Sequence, residues 1–363
     1  MIDLCIDARM ALCSGIGTCI RQLIPYLNQP PFRLILLVHQ KDQFWCRDIE
    51  QIHFDAKIYS INEQRSFPLK IPHCDIFWSP HYNVPLLPIR AKKRTVTIHD
   101  ACHLALEHNF SWLEKSYAKF MMSRALHHSD AVVTDSLFSK NELIKLLGNP
   151  KKKILVNHIG VNHKQFQRIT DPSAHECLRK TYQLPERFVL FVGNRKPHKN
   201  LSGLLNAFSE ITDPHLGLVI VGKSKELRHS CQTAKQKNVF FIDFVPDEDL
   251  SGLYSLAELL ILPSFYEGFG LPPLEAMSCG CPTIVSNTAS LPEVCGNASY
   301  FINPENPRDI REGILKVSFD RELKSQLISR GYERVKLYDW ARCAQLYRSL
   351  FELLLRTTKM NKI

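Results

Sequence analysis

Twice along this 363-residue chain, short apolar runs alternate with longer amphipathic stretches. Runs of this kind fit buried strands joined by crossover helices, so the chain has to build parallel sheets covered by helices on both faces. In the first half, strands are expected at Asp3–Asp7, Arg33–His39, Lys57–Ile61, Ile76–Ser79, Thr95–His99, Ala131–Thr134 and Ile154–Asn157, with helices over 17–28, 112–128 and 136–147. The pattern restarts at Phe188–Val192 and continues through Gly217–Val221, Val239–Asp243, Glu258–Leu262, Thr283–Ser286 and Tyr300–Ile302. Its helices fall at 200–211, 247–256, 272–279, 306–318 and 321–335, and a last helix runs from Trp340 to about Leu355. The polar stretch 162–187, with Pro172 and Pro185, reads as the linker. Two doubly wound α/β domains are expected, facing across a cleft: 1–170, 171–340, and a helix and tail over 341–363 returning to the N-terminal domain.

Charge divides the halves. Residues 1–170 hold 22 Lys and Arg against 14 Asp and Glu, a net +8 of the whole chain's +10. A basic half suits an anionic partner such as a membrane surface, while no zinc-finger or RNA-binding signature accompanies it, so nucleic acid is not expected. The local clusters, Arg90 to Arg94 and Lys151 to Lys153, each precede an apolar strand and read first as solvated strand entries. No run approaches the roughly 20 apolar residues of a membrane span. The opening run Ile2–Ile6 lacks a basic leader, which points to a cytoplasmic protein. Twelve cysteines without a repeating spacing read as free thiols, and the Asn-x-Ser sequons at Asn109, Asn200 and Asn297 as chance.

The strongest chemical signal is EGFGLPPLEA, between a strand ending at Leu262 and a helix. Pro272 and Pro273 suit a first helical turn, Gly268 and Gly270 let the backbone approach a ligand, and the helix start behind them is an anion site. Glu275 is expected in the first turn, ionised by the dipole and able to accept two hydroxyls of a ribose or sugar; Glu267 reaches from the loop toward the same ligand. A second strand-to-helix turn, VGNRKPHKN, places Lys199 at a helix start, where its charge calls for a ligand phosphate, with Arg195 assisting. Gly15 and Gly17 after the first strand fit either a tight turn or a phosphate contact. His99, at the carboxyl end of a strand, is placed to donate to a sugar hydroxyl, or is an ordinary strand-end histidine. Asp247-Glu248-Asp249 imitates a metal motif, but following Pro246 it reads as a helix start capped by Asp247, and no metal is expected.

At these residues the chain resembles the retaining family 4 glycosyltransferases of the GT-B fold. Glu267 and Glu275, within EGFGLPPLEAMSCGCPTIVSN, carry the most specific part; IDARMALCSGIGTCIRQLI and VGNRKPHKNLSGLLNAF resemble the bacterial mannosyltransferase-like branch. The resemblance implies that Glu275 binds the donor ribose, and that Glu267 with Gly268, Phe269 and Gly270 holds the donor sugar. Lys199 and Arg195 take the diphosphate, Gly15 and Gly17 approach the donor, His99 lies near the transferred sugar, and Val245 flanks the base. Glu267 and His99 are the expected catalytic residues. Cys102-His103 and Thr18 depart from the branch on the acceptor side.

The implied reaction moves a hexose, mannose from GDP-mannose, to a glycan or lipid-linked acceptor with retention and without metal, in surface polysaccharide or lipopolysaccharide assembly. The donor is a co-substrate, so no cofactor is expected. Attachment to an anionic membrane would be peripheral, at its inner face, through the amphipathic stretch Ser111–His128. A GT-B epimerase or hydrolase would share the diphosphate site without an acceptor; a non-catalytic anionic-surface binder would leave the Glu267/Glu275 loop unexplained. A Rossmann dehydrogenase would want a third glycine where Cys19 and Ile20 stand.

Overall fold

A computed structural model describes residues 1–40, 45–106, 110–222 and 238–360. The chain forms two compact units, 1–160 with 340–363, and 161–339. The expected boundary near 170 therefore moves to Gly160/Val161. The segment 162–187, expected as a linker, contains the helix Pro172–Tyr182, which starts on the Asp171 side chain with proline in its first turn. The sequon at Asn109 and the tail 361–363 lie outside the described residues.

The first unit holds a seven-stranded sheet: β1 Ile2–Asp7, β2 Phe32–Val38, β3 Glu50–His53, β4 Cys74–Ser79, β5 Ala91–Thr97, β6 Ala131–Thr134 and β7 Ile154–Val156. Their spatial order is β3-β2-β1-β4-β5-β6-β7. All pairs are parallel, with Leu4 opposite Leu34 on one side and Ile76 on the other. The apolar runs are the strands because both faces of the sheet are covered: Leu34 to Val38 are all buried.

One strand was misplaced. Lys57–Ile61 is not extended; Tyr59 turns into the left-handed region at φ 66°, and Ser60 caps a helix over Ile61–Lys70 by accepting the Glu63 N–H. The edge strand is instead Glu50–His53, a mostly polar stretch that apolarity could not reveal. The chain also leaves β5 at Thr97, so His99 stands two residues beyond the strand.

The helix Trp112–His128 opens on a capping box between Ser111 and Glu114. Its inner face is Ala118, Met121, Met122, Ala125 and Leu126, at the i, i+3, i+4, i+7 spacing of a core stripe. Met121 and Met122 are thus core residues, whereas Trp112, Leu113 and Phe120 stay exposed. The basic run Arg90 to Arg94 enters β5, and its lysines pair with acids: Lys92 Nζ lies 2.6 Å from Asp75, Lys93 Nζ 3.4 Å from Asp130.

The final helix, Trp340–Met360, belongs to the first unit. The Tyr347 hydroxyl lies 2.7 Å from Thr97 Oγ1, which also accepts the Trp78 indole N–H at 2.9 Å. Asn157 Nδ2 donates to the Cys343 carbonyl at 3.0 Å.

The second unit repeats the plan with β8 Arg187–Val192, β9 Leu216–Val221, β10 Val239–Ile242, β11 Leu259–Leu262, β12 Thr283–Ser286 and β13 Ser299–Ile302. Their order is β10-β9-β8-β11-β12-β13, all parallel. In each unit the winding reverses once, between β1 and β4 in the first and between β8 and β11 in the second. Ligands of open α/β sheets bind beyond the carboxyl ends of strands at such a reversal. Among the described residues no helix is long and apolar enough to cross a membrane.

Candidate functional site

At the second unit's reversal, two loops meet. After β8 the chain makes a one-turn 3-10 helix, Pro197–Lys199, and Asn200 takes the left-handed conformation at φ 55°. Its side chain accepts the Gly203 N–H, starting the helix Leu201–Ser209, while its amide donates to the Pro304 carbonyl at 2.7 Å. The sequon at Asn200 is therefore a buried helix cap. After β11, the Phe265 N–H donates to the His198 carbonyl at 2.8 Å, fastening the second loop to the first.

That fastening brings Lys199 and Glu267 together. Lys199 Nζ donates to Glu267 Oε1 at 2.6 Å, and the Ser264 hydroxyl donates to the same oxygen at 2.6 Å. Lys199 was expected to need a phosphate to offset its charge at a helix start. It sits just before Asn200, outside the helix, and Glu267 is its partner. Ser264, three residues upstream of the EGFGLPPLEA motif, had no assigned role; its position two residues beyond β11 was the available signal.

Gly270 caps the helix Leu271–Ser278 at φ 102°, a conformation that L side chains resist, and a Cβ there would meet Leu291 at 2.7 Å. Pro272 and Pro273 occupy the second and third helical positions, so two of the N–H groups expected to face an anion do not exist. The positive end of the dipole and the Leu271 N–H remain. Glu275 is the fifth helical residue, in the second turn rather than the first. Burial pushes its carboxyl up to about 7, despite the Tyr254 hydroxyl donating to Oε2 at 2.9 Å. The expectation of a firmly ionised carboxylate therefore fails: near neutral pH this group takes or gives a proton. Tyr254 had no sequence signal beyond its place in the 247–256 helix.

Arg195 is buried, its guanidinium 4.7 Å from the Phe241 ring centre and 3.5 Å from Asp243 Oδ1. Val245 is buried between β10 and the helix Asp247–Leu256. The expected cap on that helix is absent: Pro246 is the cap residue, and Asp247, Glu248 and Asp249 fill the first turn, where the dipole favours them. Asp249 accepts the Tyr182 hydroxyl at 2.5 Å. Among the described residues no cluster of three or more His, Cys, Asp or Glu could hold a metal ion.

The remaining expected site residues lie in the first unit. Gly15 and Gly17 are inside the helix Ser14–Leu27, not in a loop before it. A Cβ on Gly17 would come within 2.4 Å of the Ala11 carbonyl oxygen, while one on Gly15 would meet nothing within 4 Å. His99 has both ring nitrogens engaged, Nδ1 at 2.6 Å from Asp135 Oδ2 and Nε2 at 2.9 Å from the Pro80 carbonyl. Burial lowers its pKa, but Asp135 and the Pro80 carbonyl outweigh that and raise it to about 9. At neutral pH His99 is an imidazolium with both N–H groups engaged, so it carries a positive charge and lacks the vacant donor expected. Asp135, one residue past β6, was not foreseen, although strand ends are where such groups collect.

The Glycosyl transferases group 1 family model matches residues 178–334, which hold the Lys199, Glu267 and Glu275 loops. Over 290 residues the chain is 30% identical to the O-antigen chain mannosyltransferase B of Escherichia coli, covering 77% of this chain and 74% of that protein. The chain belongs to the group 1 glycosyl transferases. The serotype-specific mannosyltransferase WbdA of Escherichia coli is 29% identical over 311 residues, which is 81% of this chain and 36% of that longer protein. Sucrose-phosphate synthase from Thermosynechococcus elongatus superposes with a TM-score of 0.79 at 20% identity, covering 97% of this chain and all of that one. The fold of this glycosyltransferase is GT-B, two Rossmann-like units.

Proposed function

We propose that this glycosyltransferase transfers mannose from GDP-mannose to a growing surface polysaccharide of the O-antigen type, with retention of configuration and without a metal ion. The observation that carries the donor half is the Lys199–Glu267–Ser264 cluster at the second unit's reversal, where the Lys199 ammonium and the Ser264 hydroxyl both donate to one oxygen of Glu267. The mannosyltransferase names of the relatives support the sugar.

In this reading the donor diphosphate takes Lys199, freeing Glu267 to accept hydroxyls of the sugar alongside the backbone of Gly268, Phe269 and Gly270. Glu275 holds the ribose hydroxyls and Val245 flanks the base. The bond from the anomeric carbon to the diphosphate breaks, and the acceptor hydroxyl forms the new bond on the same face. Its proton goes to the departing phosphate. Lys199, Arg195 and the helix dipole stabilise the charge that develops on that phosphate. In the first unit, the His99 imidazolium adds a fixed positive charge.

We place the reaction in the cytoplasm at the inner membrane face, with a glycan or lipid-linked acceptor. The surplus positive charge of the N-terminal half and the exposed Trp112, Leu113 and Phe120 support peripheral attachment. Calorimetry against GDP, UDP, ADP and dTDP tests the donor: GDP should bind tightest, and a preference for UDP would overturn the mannose assignment. Transfer from GDP-mannose should persist in EDTA; loss restored by magnesium or manganese would overturn metal independence.

A further inference from the structure

The first unit's reversal, between β1 and β4, carries a structure that the donor chemistry does not use. Tyr59 and Tyr82 stack there with ring centres 5.9 Å apart and planes 23° apart. Tyr117 meets Tyr59 edge-on at 5.8 Å, and His103 meets Tyr82 edge-on at 5.7 Å. Tyr59 is 44% exposed and presents an aromatic face to solvent, while Tyr82, half-buried and packed on the sheet's core, backs it from beneath.

Tyr59 is held there at some expense. Its φ of 66° is unfavourable for any residue with a bulky side chain, and such strain persists only where the surroundings over-determine it. The surroundings are a fully buried ionic network. Glu63 Oε2 accepts the Tyr59 N–H at 2.8 Å and the Asn83 amide at 2.7 Å. Its other oxygen accepts Arg9 Nη2 at 2.6 Å, and the same Arg9 forks onto Asp7 at 2.7 and 2.6 Å. Asn83 in turn accepts the Tyr117 hydroxyl at 2.5 Å. Buried ion networks are seldom the most stable filling of a core. This one fixes the backbone of Tyr59 and the ring of Tyr117 at the end of β1, where ligands of open sheets bind.

We propose that this aromatic surface is a saccharide subsite for the acceptor, with Tyr59 and Tyr82 as its platform and Asp100 as a hydroxyl acceptor; it rests on the glycosyltransferase reading. Tyrosine offers a sugar both an apolar face for its C–H groups and a hydroxyl for its edge. Asp100 Oδ1 accepts the Cys102 N–H at 2.9 Å, which holds its carboxylate at the start of the short helix Cys102–Ala105 whose His103 packs on Tyr82. A phosphate would meet Asp100 as a like charge, whereas a neutral, hydroxyl-rich ring supplies donors that its carboxylate can take; Glu63, fully buried with both oxygens engaged, only holds the platform in place. His103, one of the departures on the acceptor side, packs on this platform and is a specificity position.

The probe is mannotriose, observed by saturation-transfer NMR on the full chain. Tyr59→Gly removes the ring while suiting the left-handed backbone, so the variant should melt no lower than the wild type. Tyr59→Gly and Tyr82→Ala should weaken mannotriose binding about tenfold or more, a typical loss for an aromatic platform. Tyr59→Phe should retain most of it, and GDP binding by calorimetry should be unchanged in all three. Wild-type mannotriose binding in folded Tyr59→Gly and Tyr82→Ala, or no saturation transfer to the wild type, would overturn the subsite. Mannotriose binding without any nucleotide binding would instead overturn the donor reading and leave the subsite standing.

Discussion

Glu275 and His99 both titrate above their ordinary values, one through burial and the other through a carboxylate partner, and each sets a pH dependence. The Glu275 carboxyl, raised to about 7 by burial, is half protonated at neutral pH. Accepting ribose hydroxyls favours the ionised form, so nucleotide affinity should rise between pH 6 and 8, and Glu275→Gln should bind weakly with no such rise. Losing a charged hydrogen bond to a ligand costs about 1.5–3 kcal/mol. Calorimetry across that range checks it; a parallel pH slope in Glu275→Gln would remove Glu275 from the site. His99 is raised above its ordinary value, to about 9. Its pairing with Asp135 therefore adds stability that is complete below about pH 6.5 and is lost as pH rises through 9. The melting-temperature gap between wild type and His99→Gln should be widest near pH 6 and narrow above pH 9. Neither value was legible in the sequence, because one depends on how deeply the fold buries Glu275 and the other on Asp135, 36 residues from His99.

Among the elements, those that apolarity dictates were legible: β9, Leu216–Val221, is buried along its whole length, and its sequence is an unbroken apolar run apart from Gly217. Elements dictated by polar capping were not. Ser60 and Glu63 begin the helix Ile61–Lys70, and Asp171-Pro172 begins Pro172–Tyr182; both carry helix-start signals that a search for apolar runs passes over. The glycines of the Ser14–Leu27 helix show how one motif can conceal two roles. Gly17 is required by packing, since a Cβ would strike the backbone carbonyls of Ala11 and Met10 at 2.4 and 2.9 Å. Gly17→Ala should destabilise by roughly 1–3 kcal/mol, visible as a lower melting temperature. Gly15 has open space and a helical backbone, so Gly15→Ala should melt at the same temperature or higher, by up to about 1 kcal/mol of helix propensity. If Gly15→Ala then binds GDP-mannose as well as the wild type does, the donor-approach role carried over to Gly15 fails.

At the scale of the whole molecule, the question is what the chain's +10 charge is for. Much of the basic run into β5 is taken up by Asp75 and Asp130, so the gross excess of the N-terminal half overstates what a partner meets there. The helix Trp112–His128 is different. Its core stripe accounts for Met121 and Met122, but Trp112 and Leu113 are 76% and 71% exposed, and Phe120 lies one heptad beyond Leu113 on the same outer face. Lys119 shares that face, one heptad beyond Trp112, and Lys115, half-buried, borders it from the edge of the core stripe. Apolar side chains of this size beside lysines suit the boundary of an anionic bilayer, where each cation adds roughly 1 kcal/mol and salt screens the attraction within about 8–10 Å. The protein should therefore co-sediment with phosphatidylglycerol vesicles at low salt and release from them as salt rises. The apolar and basic parts are separable: Trp112→Ser with Phe120→Ser should weaken binding at every salt concentration, whereas Lys115→Gln with Lys119→Gln should weaken it at low salt and flatten the salt dependence. Trp112, Lys119 and Phe120 are exposed, and the half-buried Lys115 keeps part of its aliphatic stem as glutamine, so the variants should melt within a few degrees of the wild type. Binding that ignores both pairs of substitutions, or a protein that ignores anionic vesicles at low salt, would take the helix off the membrane and favour an acceptor presented in solution.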